Sequence, residues 1–280
     1  MTQIKQMNTD FFKYLCVSVS SVCFSLTASA QEPIYQSTVI GVGTASTYDT
    51  YLSPLEYKGS NFGLLHEQMQ MTGLLDGSVA MQQLFNLNVA LGDNLSKTSS
   101  TYMGMLEYDF GLYRRFKPIN GFQFFAGLQA DAQMGGIYNL RNGNNPATLK
   151  THLDLGISGI AAYQFQIKKQ PVKLRYQLNM PAVGLFYAPE FGQSYYEIYE
   201  LGDNDGVVHF SSLHNYLAMR NILTVELPFK SRTIRLSYIN WMYETKINDV
   251  NTRIHSNTFF IGFSKYFTVQ SGRSVKQFMP

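Results

Sequence analysis

From Phe122 the chain alternates between apolar and polar side chains. Phe122, Phe124, Ala126, Leu128, Ala130, Ala132 and Met134 lie on one side of the pattern, with Gln123, Gln129, Asp131 and Gln133 on the other. Successive side chains of a strand point to opposite faces, so this period of two predicts an extended segment with one greasy and one wet face. Leu153, Leu155, Ile157, Ala161, Tyr163 and Phe165 repeat the pattern against His152, Asp154, Ser158 and Gln164. Val172, Leu174, Tyr176, Leu178 and Met180 repeat it against Lys173, Arg175, Gln177 and Asn179.

Ten such segments are expected, at 35–46, 60–73, 81–91, 101–112, 121–134, 150–165, 171–180, 215–228, 232–243 and 256–267. A strand of about ten residues, rising ~3.3 Å per residue and tilted by ~40°, covers the ~25 Å apolar band of an outer-membrane barrel. Soluble strands average about half that length. The first two segments alternate least well, and Glu67 is expected on the apolar face. The even-numbered connections are compact, whereas most odd-numbered ones are longer, 181–214 above all. Short turns at one end and long loops at the other are the barrel pattern. The expected fold is therefore all-β, a closed antiparallel transmembrane barrel spanning residues 31–267, with a C-terminal tail at 268–280. The aromatic run Phe259 to Phe267 suits a closing strand read by the barrel-assembly machinery.

Composition agrees. Aromatic residues make up 14% and charged residues only 15% of the chain, against about a quarter charged in soluble domains. Residues 1–30 read as a cleaved Sec-type signal: Lys5 and Lys13 precede an apolar stretch, and Ala28, Ser29 and Ala30 form a small-x-small site before Gln31. Cys16 and Cys23 both fall inside it, so the processed chain would have neither disulfides nor thiolate chemistry. Its charge balance of 20 basic to 18 acidic residues gives no reason to expect nucleic acid.

The segment Tyr187-Ala188-Pro189-Glu190-Phe191-Gly192-Gln193-Ser194-Tyr195-Tyr196-Glu197-Ile198-Tyr199, together with His214 to Asn221, resembles an uncharacterised exported family of Bacteroidota. That resemblance implies an outer-membrane barrel and names no catalytic residue.

Turning the polar face inward places Glu107, Asp109, Asp131, Asp154 and Glu226 in the lumen with Lys173, Arg175, Arg220 and Arg235. Mixed charges in a narrow, weakly polarisable interior are expected to pair, plugging the lumen. Asp131, His152 and Asp154 are expected near the extracellular rim, with Asn179, His214 and Arg220 at the same level. A histidine held by an aspartate is the arrangement of a general base. Ten-stranded outer-membrane proteases of the omptin type use aspartates and a histidine at such a height, although none of their sequence motifs is present. His209-Phe210-Ser211 offers a lipid A deacylase-like pair in an expected loop. The five histidines are scattered without zinc-site spacing, so neither metal nor other cofactor is expected. Asp203 and Asp205 before Gly206 are expected to form a turn, with a weak calcium contact only as a speculative addition. Tyr187, Phe191, Tyr195, Tyr196 and Tyr199 form an aromatic cluster, expected either to plug the mouth or to bind a glycan, lipopolysaccharide or protein. A structural or surface-binding barrel ranks first, a surface hydrolase second and a narrow small-solute channel third.

Overall fold

The computed structural model describes residues 33–270 except 117–120, 144, 169 and 230–231, together with the backbone of 273–275; side chains are described to Phe267. The expected signal and its cleavage residues Ala28, Ala30 and Gln31 lie outside the described residues.

The strands are β1 (Ile34–Asp49), β2 (Ser53–Met71), β3 (Val79–Asn94), β4 (Ser100–Arg115), β5 (Phe122–Asn139), β6 (Ala147–Ile167), β7 (Gln170–Tyr187), β8 (Val208–Ser212), β9 (Tyr216–Phe229), β10 (Arg232–Ile247), β11 (Val250–Gln270) and β12 (Arg273–Val275); a short helix, α1 (Tyr195–Tyr199), precedes β8. Ten of them, β1 to β7 and β9 to β11, pair antiparallel in sequence order, and β11 closes the ring on β1 from Ile34↔Phe267 to Asp49↔Thr252. Closure leaves these strands no unpaired edge, the condition for a sheet in hydrocarbon. β8 pairs with β7 outside the ring, and β12 folds back on β11. The expected tail is thus partly strand: β11 runs on to Gln270.

All ten segments are strands, and most run further than expected toward the loop end. The anticipated ninth loop is only the turn Asn248-Asp249, with φ of 52° and 58°, joining Ile247 to Val250. Two consecutive residues at positive φ suit the right-handed twist of a hairpin, and Asn and Asp tolerate that region. Residues read as loop continue the ladder because every paired amide and carbonyl avoids the cost of being left unsatisfied.

The outer surface follows the expected alternation. On β6, Leu155 is 60% exposed while its neighbour Asp154 is 3% exposed. Ile40, Phe62, Leu128, Leu153, Ile157, Leu236 and Ile261 continue an exposed apolar band around the ring, far larger than soluble monomers show. Glu67 breaks the expectation, since it is wholly buried and faces the lumen, while His66 points outward to the Thr38 hydroxyl at 2.8 Å. The inside is not uniformly polar either. Val39, Leu65, Leu84, Ile222, Ile239 and Phe260 form one internal apolar cluster, and Ala80, Tyr113, Phe125 and Ile160 another.

Candidate functional site

Two charged networks cross the lumen, because ring closure brings together strands far apart in sequence. In the first, the Glu67 carboxylate on β2 accepts from Arg175 on β7 at 2.5 Å, Arg235 on β10 at 2.5 Å and Gln82 on β3 at 2.6 Å. β2 and β7 stand five places apart in the ring of ten, so this bond runs from wall to opposite wall. Arg235 also donates to the Tyr35 hydroxyl at 3.1 Å, which in turn donates to Glu226. Lys173 sits nearer the terminal end and donates to the Tyr266 hydroxyl at 3.2 Å. Asn179 stands opposite Arg220 in the β7–β9 register, as expected, but its side chain joins the lower network, accepting from Ser158 at 2.7 Å and Gln177 at 2.9 Å.

The second network surrounds the expected catalytic residues. Register pairs Asp109 on β4 with Asp131 on β5, and Asp131 with Asp154 on β6, so three inward aspartates stand side by side. Arg220 on β9 reaches across to Glu107 at 2.6 Å, to Asp109, and to Asp131 at 3.8 Å. His152 Nε2 lies 2.7 Å from Asp131 and 3.4 Å from Asp154. Ser211 on β8 donates to Asp154 at 2.9 Å.

These residues do not lie at the rim. Asp131 is halfway along β5, and Asp131, His152 and Asp154 are all buried. Tyr216 and Tyr243 stand against the His152 ring at 5.5 and 5.8 Å, and Trp241 adjoins Tyr243 at 6.0 Å. Nearer the mouth, Lys150 on β6 bridges to Asp49 on β1 at 2.5 Å, again between strands five places apart. Apolar and aromatic residues including Tyr51, Leu52, Met103, Ile137 and Ile254 complete this cap. Such aromatics on a barrel strand suit an interfacial girdle equally well. Their inward direction follows from the strand phase, which at Trp241 and Tyr243 alternates with half-buried Met242. His214 is not at this level: it sits exposed in a turn beside Ser212 at 2.5 Å. His209 and Ser211 lie on β8 and not in a loop. His209 meets the Asn248 side-chain amide at 2.9 Å, whereas Ser211 serves Asp154.

The aromatic connection divides in two. Tyr195 packs edge-on against Tyr51 at 6.2 Å, and its hydroxyl accepts the Leu149 amide at 2.5 Å. That amide lies above the last β6–β7 pair, Thr151↔Tyr187, so the hydroxyl satisfies backbone that β7 has left behind. Tyr187 is half-buried and stacks on Tyr195 at 6.4 Å, while Ile198 is buried. Phe191, Tyr196 and Tyr199 remain about two-thirds exposed. A capping box starts α1, with the Glu197 amide donating to the Ser194 hydroxyl at 3.2 Å and the Ser194 amide donating to Glu197 at 2.6 Å. Hydrogen bonds from the Ser194 amide and hydroxyl hold the Glu197 carboxyl below the usual carboxylate range.

Asp131, His152 and Asp154 each offer one donor atom, all within 4.8 Å of one another. Spacing along single strands gave no metal set; the pairing of β5 with β6 assembles one.

Residues 11–274 match the family described as Protein of unknown function (DUF3316). The chain belongs to that family. No curated protein sequence matches it. Among solved structures it is similar to the outer membrane protease OmpT of Escherichia coli, at 8% identity and a TM-score of 0.47, covering 86% of this chain and 99% of that one. It is also similar to the transport unit of the autotransporter AIDA-I of Escherichia coli, at 9% identity and a TM-score of 0.39, covering 85% and 92%. An outer membrane channel of Pseudomonas putida F1 matches at 10% identity and a TM-score of 0.36, covering 86% and 98%. The family member described here is a closed ten-stranded antiparallel barrel.

Proposed function

We propose that this DUF3316 barrel is exported by a Sec-type signal to the outer membrane of a bacterium of the Bacteroidota, carries no solute through its lumen, and works as a structural or surface-binding protein through its seventh connection. The observation that supports this most is the double crossing of the lumen by buried ion pairs between opposed strands, Glu67 to Arg175 and Asp49 to Lys150. An ion would have to break both to pass, and selectivity would want charges of one sign. Barrel-assembly machinery reading the aromatic closing strand fits the same location, as does outer-membrane lipid against the apolar band.

Phe191, Tyr196 and Tyr199 present aromatic faces to the outside. Residues 188–207 carry five acidic side chains and no Lys or Arg. This charge disfavours anionic lipopolysaccharide as the loop's ligand and favours an uncharged glycan or a cationic segment. A hydrolase rests on the bond between Asp131 and His152. The cap over that pair gives a polymeric substrate no route to it, so this reading ranks second.

The full-length barrel in planar bilayers is expected to give no steps in conductance, and reproducible single-channel steps would reject the closed lumen. Replacing Phe191, Tyr196 and Tyr199 together with alanine is expected to change the unfolding free energy by no more than about 1.5 kcal/mol, since a single surface change rarely exceeds ~0.5 kcal/mol. The same variant should lose binding on an array of uncharged glycans and cationic peptides. Binding equal to that of the unaltered barrel would remove the loop from the proposal.

A further inference from the structure

We propose that Asp131, His152 and Asp154 hold one divalent transition-metal ion of the zinc type inside the barrel, beneath the Tyr216–Tyr243 cap. Charge is the first reason. Glu107, Asp109 and Asp131 gather around a single guanidinium, that of Arg220, which is committed to Glu107 and Asp109 and stands off from Asp131 at 3.8 Å, while Asp154 stands opposite Asp131 on the next strand. Like charges directly opposite on neighbouring strands repel, and here the register sets three aspartates in a row. The lower network has no such excess, with Glu67 and Glu226 facing Arg175 and Arg235. A buried carboxylate without a counter-charge does not persist ionised: it takes up a proton or a cation.

Unsatisfied atoms are the second, independent reason. Asp154 Oδ2, whose side chain is fully buried, lies 3.4 Å from His152 Nε2 and lacks a well-formed hydrogen bond among the described residues; the Tyr216 hydroxyl is the donor beside that carboxyl, and Ser211 serves its other oxygen. His152 Nδ1, Asp109 Oδ1 and Gln133 Oε1 are likewise buried without partners. Of these atoms Asp154 Oδ2 belongs to the cluster of Asp131, His152 and Asp154, where a cation would supply what protein donors do not.

Ligand chemistry selects the class. Calcium and magnesium take oxygen donors, whereas one imidazole with two carboxylates suits zinc and its neighbours. Donors ~2.1 Å from a tetrahedral ion stand ~3.4 Å apart; the Asp154 Oδ2 to His152 Nε2 separation is 3.4 Å. The Asp131 carboxylate stands at 2.7 Å from His152 and must open by about 0.7 Å to reach that spacing. The site is independent of the seventh-connection reading and involves none of its exposed aromatics.

The test uses the full chain, stripped of metal by chelator in urea and refolded into detergent with Zn2+ or Co2+, because the cap closes the site once folded. About one ion per chain should survive gel filtration, and X-ray absorption on the zinc form should show nitrogen and oxygen donors with an imidazole and no sulfur. Losing one of three ligands should weaken binding by at least about 100-fold, since even outer partners of a ligand change affinity 10–100-fold. His152→Ala and Asp154→Asn should both show this. His255→Ala, which removes a half-buried histidine bonded to Glu244 away from the cluster, should retain the ion. A refolded unaltered chain that holds no metal, a sulfur donor shell, or equal binding in the His152→Ala and Asp154→Asn variants would overturn the proposal. If neither variant folds, the donor shell and stoichiometry of the unaltered chain decide.

Discussion

Replacing Glu67 with alanine is expected to cost about 3–5 kcal/mol of unfolding free energy, the range for removing one partner of a buried ion pair. The change deletes the acceptor of two guanidiniums at once, those of Arg175 and Arg235, and of the Gln82 amide. Arg235 is fully buried and Arg175 nearly so, so water cannot readily replace the carboxylate. The penalty is mostly the cost of two orphaned cations, and a companion experiment separates it from the worth of the pairs themselves. Replacing Glu67, Arg175 and Arg235 together by apolar residues of similar volume should recover most of the loss, because apolar replacement of buried ion clusters is often neutral or stabilising. Urea titration of the refolded barrel in bilayers measures both. A Glu67→Ala change below about 1 kcal/mol, the range of exposed pairs, would show that water reaches this level of the lumen and that the barrel is not plugged there.

The position of Glu67 also shows where the sequence stops being legible. Alternation identified ten strands and assigned the correct face wherever an apolar stripe was unbroken, as from Phe122 to Met134 and from Leu153 to Phe165. In β2 the stripe is ambiguous: Leu64 and Leu65 are adjacent, and His66, Glu67 and Gln68 follow without an apolar residue to fix the phase. A slip of one residue exchanges the two faces, which is how Glu67 came to be expected on the lipid side. Ring partners are illegible for a different reason. Glu67 and Arg175 are 108 residues apart and meet only because ten strands close at one diameter, a quantity no local pattern encodes. Height in the lumen suffers likewise. His152 and Asp154 could be placed together on one strand face from their spacing, but the cap above them is built from Tyr51, Tyr216, Trp241 and Tyr243 on other strands, whose aromatic character alone suits an outer girdle equally well. The seventh connection gave its aromatics but not their division. Only the termination of β7 below Leu149 explains why Tyr195 turns inward while Tyr196 and Tyr199 stay outside.

The second large effect is expected at Phe260, whose ring fills space that two glycines leave on the inner wall. A Cβ added at Gly63 would come within 2.5 Å of the ring, and one at Gly41 within 2.6 Å. Phe260 is almost completely buried among Val39, Leu65, Leu84, Ile222 and Ile239. Phe260→Ala should therefore cost about 3–5 kcal/mol, as for other large-to-small core changes. The glycines make a sharper test. In the unaltered barrel Gly63→Ala should destabilise by about 1–3 kcal/mol, because an added methyl in a filled core forces the ring or backbone to shift. In the Phe260→Ala background the methyl meets nothing closer than Asn88 Oδ1 at 3.4 Å, an ordinary contact, and alanine is favoured over glycine inside a strand by roughly 0.5–1 kcal/mol. The same substitution should thus reverse sign between the two backgrounds, a coupling that contacting residues allow and distant ones do not. Equal effects of Gly63→Ala with and without the Phe260 ring would mean that the ring does not rest on the glycines, and that the closing strand is held to β1 by its backbone ladder alone.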